Sequence, residues 1–315
     1  MRRAAVIVHA SRLHRPAGVR RLIERELSRR GWAPPLWLET TAADPGAGQG
    51  RAALAAGVDL VLVVGGDGTV RSVLGSLVGS SVPVGLVPSG TGNLLARNLR
   101  IPLTKRRAVR YAVDGAARPL DLLRWSADGG RSGVAAVMVG LGADAAVLAD
   151  TNETVKKWTG QAAYVVAGRR HIRAIPVPTQ VAVEDGQTGR AELRDVEVAE
   201  EGSGVERLVR DASLVEIGNV GSLMAGVTLL PSADPTDGRL DVLVASPLNG
   251  RDVGRMIAGV LLQRSRDRLL DRRSGTAVAV ECERPVLCQV DGDVIGAVSR
   301  LRVEVLPGAV QVVAR

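Results

Sequence analysis

Two glycine-rich loops carry residues whose types and spacing suit chemistry on a phosphate. The first, Gly65-Gly66-Asp67-Gly68-Thr69, leaves the apolar run Leu60–Val64; the second, Pro88-Ser89-Gly90-Thr91-Gly92-Asn93, leaves Val82–Val87. Each opens into a helix-like stretch. Glycine lets backbone approach a ligand closely, and a helix start offers N–H groups and a positive dipole end. The pair therefore reads as a phosphate cradle, the alternative being two tight turns that need positive φ. Asp67 is the odd member, since a carboxylate repels phosphate unless a divalent cation stands between them. It also suits the N-cap of a helix over Val70–Val78.

Better-known phosphate loops do not match. Arg71 and Leu95 stand where a dinucleotide fingerprint needs its third glycine, and no lysine precedes a Ser or Thr as in a Walker A loop. GxSxG, HExxH and EF-hand patterns are missing as well.

The elements that must position these loops alternate. Strands are predicted at Ala4–Val8, Leu36–Glu39, Leu60–Val64 and Val84–Val87. Helices are predicted at Ala17–Arg30, Gly50–Ala56, Val70–Val78 and Asn93–Leu99. This order implies a doubly wound parallel sheet with helices on both faces, a nucleotide-binding α/β domain over residues 1–124. From 125 to 315 the segments shorten and become Val-rich: Val134–Val139, Gln180–Val183, Leu214–Ile217, Leu240–Val244, Ala277–Val280, Val286–Val290 and Leu301–Val305. They predict a mainly β sandwich with helices near Lys156–Arg170 and Asp252–Leu270. The polar stretch Glu184–Arg210 reads as a surface hairpin or loop.

Composition narrows the partners. Hydrophobic residues make up 46%, aromatics 2%, and Phe is missing, so base-stacking platforms for single-stranded nucleic acid are lacking and no nucleic-acid partner is expected. Net charge is +8, almost all from arginine, which suits anionic ligands or simply a solvated surface. Cys282 and Cys288 have no zinc spacing and read as buried free thiols of a reducing compartment. The apolar run after Met1-Arg2-Arg3 stops at His9, shorter than a signal-peptide core, and no stretch reaches the roughly 18 apolar residues of a membrane span. A cytoplasmic protein is expected. The stretch Arg251–Arg273 places apolar residues at Val253, Met256, Ile257, Val260, Leu261 and Leu262 among seven arginines. It reads either as a helix packed on the sandwich or as a peripheral contact with an anionic membrane at the inner face.

The loop Gly65–Val70, taken with Pro88–Arg97, resembles the diacylglycerol kinase catalytic-domain family, and within it the bacterial lipid kinases and their sphingosine-kinase relatives. The likeness continues through Val139–Ala145, Lys156–Tyr164, Gly218-Asn219, Pro231–Val242 and Asp291-Gly292-Asp293. It implies an ATP-dependent lipid kinase of phospholipid biosynthesis, with diacylglycerol the leading acceptor, the nucleotide in the cleft between the domains, and a β-sandwich lipid-substrate domain. Gly65, Gly66, Asp67, Gly68, Thr69, Ser89, Gly90, Thr91, Gly92 and Asn93 would hold the triphosphate, with Thr40 or Thr41 near the nucleotide. Asp291 would be the general base; Asp67 and Asp121 would organise Mg²⁺; Asp234, Asp237 and the Arg239 carbonyl would form a structural Mg²⁺ site. Phosphoryl transfer is mainly positioning and charge neutralisation, and a carboxylate in reach assists an attacking alcohol.

Other readings of these residues stay open. Asp291-Gly292 also suits a hairpin turn, and Asp234–Gly238 a solvated loop. Two departures from the family pattern are His9-Ala10-Ser11 in place of Asn-Pro, and Asp293 in place of Glu. An NAD kinase, whose family shares the Gly-Gly-Asp-Gly-Thr loop, and a nucleotide-binding regulator with weakened catalysis are the competing functions. A homodimer is compatible with the sequence.

Overall fold

The computed structural model describes residues 1–9, 16–142, 176–185, 205–222, 228–247, 252 and 269–314. The Ala143–Ala145 part of the Val139 motif, the Lys156–Tyr164 motif, most of Glu184–Arg210 and the body of the arginine-flanked helix lie outside them. The chain divides into two compact units. The first holds Met1–Leu122, Val134–Val137 and Leu306–Arg315; the second holds Leu123–Gly133 and Met138–Val305.

In the first unit, β1 (Ala4–Val8), β2 (Leu36–Glu39), β3 (Leu60–Gly65) and β4 (Pro83–Pro88) are parallel. Their order is β4-β3-β1-β2, and residues 311–312 of a long last strand, β14 (Asp293–Val313), add in parallel beside β4. Every residue of β1 and β3 is buried, as continuous apolar runs require in a sheet covered on both faces. Helix α1 (Pro16–Ser28) packs Val19, Ile23 and Leu27 onto Val6, Leu62 and Val64, joined there by Ala108, Val109 and Ala112 of α5 (Lys105–Asp114). Helices α2 (Ala47–Ala55) and α3 (Asp67–Ser76) pack against each other so closely that a Cβ on Gly50 would strike Ser76. Short α4 (Leu94–Asn98) follows the second glycine loop.

Three expectations are corrected in this unit. Helix α3 starts at Asp67 and not Val70, because the glycine loop turns directly into it with Gly66 as its cap. Helix α5 was not anticipated; its exposed arginines leave only Ala108, Val109 and Ala112 to mark a buried face. The boundary drawn at 124 misses that the last residues return to the first unit as a sheet strand.

In the second unit the strands are antiparallel. Their order is β12 (Leu270–Gly275), β11 (Leu240–Ala245), β10 (Leu214–Gly218), β7 (Met138–Gly142) and β13 (Ala277–Val290). The first half of β13 pairs instead with β8 (Val177–Glu184), and β8 with β9 (Val205–Ala212). Register shifts between Glu281 and Val286 let one strand serve both layers of the sandwich, where two separate strands were expected. Ion pairs Arg210–Asp271 and Arg273–Glu206 tie β9 to β12.

Strand β12 also corrects the reading of Arg251–Arg273. The chain is extended from Leu270 onward, and Arg272 and Arg273 sit in the sheet rather than on an amphipathic helix. Likewise Val134–Val139 is not one strand. β6 (Ser132–Ala135) ends at Ala135, and β7 begins at Met138. Strand β5 (Ala117–Ala127) carries the chain from the first unit to the second.

Candidate active site

The strand order of the first unit reverses direction between β1 and β3, so the loops leaving the carboxyl ends of β1, β2, β3 and β4 gather at a switch point, where doubly wound sheets bind ligands. His9, Thr40, Gly65–Thr69 and Pro88–Asn93 all stand there. His9 N–H donates to the Val64 carbonyl, Thr40 N–H to Val8 and Ser89 N–H to Gly65.

The two glycine loops touch backbone to backbone. A Cβ on Gly90 would stand 2.7 Å from the Gly66 Cα, and one on Gly66 would stand 3.1 Å from the Gly90 Cα. Asn93 adopts the left-handed region (φ 49°) and clamps the second loop through its amide. Its Oδ1 accepts the Gly90 N–H at 2.9 Å and its Nδ2 donates to the Gly90 carbonyl at 2.7 Å. Asp67 then bolts the loops together. Its Oδ2 accepts the Asn93 N–H at 2.7 Å and its Oδ1 the Leu94 N–H at 2.6 Å.

This geometry changes what the cradle can offer. Asp67 caps α4, accepting the N–H groups of Asn93 and Leu94 at its start. A carboxylate thus already occupies the anion-attracting end of α4. The start of α3 at Gly68 and Thr69, together with the exposed Thr91 loop tip, is where an outside phosphate would meet backbone. A small cavity beneath the loops is lined by Gly65, Gly66, Asp67, Pro88 and Asn93 with Val70, Leu86 and Leu95. Thr40 Oγ1 is buried with no hydrogen-bond partner among the described residues, whereas Thr41 Oγ1 accepts the Asp44 N–H of the following turn. Hydrogen bonds from the Gly48 and Gly46 N–H groups in that turn hold the Asp44 carboxyl below its usual range.

Asp121, on β5, is 2% exposed and accepts the Gly308 N–H at 2.7 Å, which fastens the returning C-terminal segment within the first unit.

In the second unit, Asp291 and Gly292 form the two-residue turn between β13 and β14, with φ 49° and 88° and Val290 paired to Asp293. Such a turn needs positive φ at both positions, which Asp-Gly tolerates. Asp291 is 5% exposed. Its Oδ1 accepts the Met138 N–H at 2.9 Å while its own N–H donates to the Met138 carbonyl. The expected hairpin turn is present, with Asp291 buried at its first position.

The Asp234–Arg239 turn is exposed. Asp234 Oδ1 accepts the Thr236 N–H and hydroxyl, and Asp237 Oδ1 the Arg239 N–H. The Arg239 guanidinium turns away to Asp185 and Ser274. Burial, reinforced by the charge of Asp237, pushes the neighbouring Asp241 carboxyl up to about 6. Hard oxygens crowded on one turn suit Mg²⁺, though among the described residues no group of three or more His, Cys, Asp or Glu side chains is gathered to hold a metal.

Residues 4–125 match the model of the diacylglycerol kinase catalytic domain, and residues 136–314 that of the YegS C-terminal NAD kinase beta sandwich-like domain. The chain belongs to this lipid kinase family. It is 31% identical over 266 residues to a "Probable lipid kinase YegS-like" of Stenotrophomonas maltophilia, covering 81% of this chain and 78% of that one. It is 32% identical to a diacylglycerol kinase of Mycobacterium tuberculosis over 62% of this chain, spanning just 57% of that relative's length. The crystal structure of a diacylglycerol kinase from Bacillus anthracis superposes with a TM-score of 0.72 at 18% identity, covering 100% of this chain and 97% of that one, a likeness of fold. The α/β and sandwich halves expected from the sequence are the halves this family has.

For a member of the lipid kinase family, one buried acid here lay outside the sequence reading. Glu216 on β10 is fully buried and accepts a hydrogen bond from Gln289 Nε2. The sequence marks it only as an acid inside the apolar run Leu214–Ile217; its partner Gln289 and its register with Gly140, where a side chain would collide with it, come from distant strands.

Among the described residues no helix is long and apolar enough to cross a membrane.

Proposed function

We propose that the chain transfers the γ-phosphoryl group of ATP to a lipid hydroxyl, with diacylglycerol as the acceptor and phosphatidate as the product. The observation that carries this reading is the Asp67 clamp, which holds two glycine loops together at the switch point of a doubly wound sheet. The family match and the names of the relatives support it. In this proposal the backbone of Gly66–Thr69 and Ser89–Gly92 receives the triphosphate, and the Thr40 hydroxyl faces the nucleotide. Asp291 takes the proton from the acceptor hydroxyl as it attacks.

Mg²⁺, when bound, would supply charge neutralisation for the phosphates. Asp67 and Asp121 would orient its waters. Asp234, Asp237 and the Arg239 carbonyl would hold a second, structural ion on their exposed turn. We place the protein in the cytoplasm, with peripheral contact at an anionic membrane face where the lipid is collected.

Incubation of the full chain with γ-labelled ATP, Mg²⁺ and either diacylglycerol vesicles or NAD tests the proposal. Label is expected in the lipid. Label in NAD, or ATP binding with no labelled acceptor from a mixed lipid extract, overturns it.

A further inference from the structure

Strand β7 runs between β10 and β13, and Gly140 at its middle is in register with Glu216 on one side and Gln289 on the other. Because Gly140 has no side chain, the two long polar side chains meet above it. A Cβ there would lie 2.6 Å from Glu216 Oε2 and 2.7 Å from Gln289 Nε2. Glu216 is 0% and Gln289 1% exposed, so neither bond is diluted by water. Gln289 Nε2 donates to Glu216 Oε1 at 3.2 Å, and Gln289 Oε1 accepts the Gly292 N–H at 2.8 Å. Gly292 is the second residue of the turn whose first residue is Asp291.

A buried carboxylate accepts hydrogen bonds and cannot donate them when ionised, so it dictates which end of the neighbouring amide faces it. With the Gln289 NH₂ group drawn to Glu216, the Gln289 oxygen must face the turn. The turn is thereby held from one side by Gln289 and from the other by the paired Asp291–Met138 bonds. The Gln289 and Met138 contacts together fix the tilt of this left-handed two-residue turn at the hairpin tip.

We propose that Glu216 is a positioning residue for Asp291, acting through Gln289 and the Gly292 N–H. The catalytic part of this inference rests on the reading of Asp291 as the base.

The test uses the full chain and two readouts. Hydrogen exchange at the Gly292 amide reads the relay without reference to activity. Steady-state kinetics with ATP and diacylglycerol vesicles reads its consequence. Gln289→Leu and Glu216→Leu are expected to speed Gly292 exchange at least about tenfold and to lower kcat by about 10- to 100-fold, the scale of a slightly misplaced catalytic group, with KM for ATP within about twofold of the parent. Glu216→Gln, whose amide oxygen can accept the same N–H, restores most of the rate lost in Glu216→Leu. In an Asp291→Asn background neither leucine substitution lowers kcat further.

Unchanged Gly292 exchange in both leucine variants overturns the relay, and so does a full additional loss of kcat in the Asp291→Asn background. Should the leucine variants not fold, Gln289→Met keeps the length and removes both bonds. A parent chain that labels no lipid fails the functional proposal, and the exchange readout then decides the relay by itself.

Discussion

Asp67→Ala is the most informative single perturbation of the glycine loops. The carboxylate receives two backbone N–H groups at 2.6–2.7 Å from residues 26 and 27 positions further along. Hydrogen bonds to a charged group contribute about 1.5–3 kcal/mol each. Leu94 is buried and its N–H would lose its acceptor with little access to water, costing about 2 kcal/mol. Asn93 is half-buried and can rehydrate in part, so about 1 kcal/mol is assigned to it. The sum, about 3 kcal/mol, corresponds to roughly a hundredfold rise in the opening of the second loop.

Hydrogen exchange at the Asn93 and Leu94 amides reads this opening directly. Asp67→Asn should cost about 2 kcal/mol, because its single carbonyl can serve one N–H while its NH₂ group faces the other. If exchange at both amides changes less than about threefold in Asp67→Ala, the clamp is not what holds the loops together.

Gly90→Ala drives a Cβ into the Gly66 backbone and should destabilise the first unit by about 1–3 kcal/mol and weaken ATP binding, seen by urea unfolding and calorimetric titration. Gly75→Ala in α3 is its counterpart: the new Cβ meets Val134 at an ordinary 3.6 Å, so stability should rise by about 0.5–1 kcal/mol. Glu26, buried beneath Arg30 and Arg110, has its pKa lowered chiefly by the Arg30 hydrogen bond. A lowered folded value stabilises above the unfolded pKa and is lost as pH falls through the folded one, so Glu26→Gln should cost about 1–2 kcal/mol at pH 7 and progressively less as pH drops below the ordinary carboxylate range, compared by urea midpoints along a pH series. Asp291→Asn should retain ATP binding and lose about 10²- to 10⁴-fold in transfer, and full activity in that variant removes the base assignment.

What was legible in the sequence follows from how local each signal is. β1 matches its predicted limits and β3 extends by one residue, because buried strands are written as unbroken apolar runs; β2 matches too, though it is half-buried and ends on the exposed Glu39. Helix α5 was missed because three small or branched residues among arginines make a faint stripe. β12 was read as helix because Leu270 continues an apolar spacing, while the ion pair that holds Arg273 in the sheet comes from Glu206 on another strand. The glycine loops were legible as loops, yet Gly66 and Gly90 are required by each other as much as by a ligand. That mutual requirement, the Asp67 bond to Asn93 and the Glu216–Gln289 pair all join residues far apart in sequence, where local pattern is silent.

The two central carboxylates differ in a way that decides how each can be tested. At Asp67 both oxygens receive backbone N–H groups, so any amide replacement sets a donor against a donor and disturbs the loop along with the charge. At Asp291 the bond to Met138 uses Oδ1, and an asparagine oxygen can accept the same N–H and keep the turn. An Asp291→Asn variant with unchanged Met138 amide exchange and lost transfer therefore isolates proton removal. The matching variant at Asp67 loses loop order first, and any loss of rate there must exceed the loss of loop order, measured at Asn93 and Leu94, before it counts as chemistry. If Asp291→Asn instead frees the Met138 amide, its lost rate is a positioning effect, and the base must be sought elsewhere.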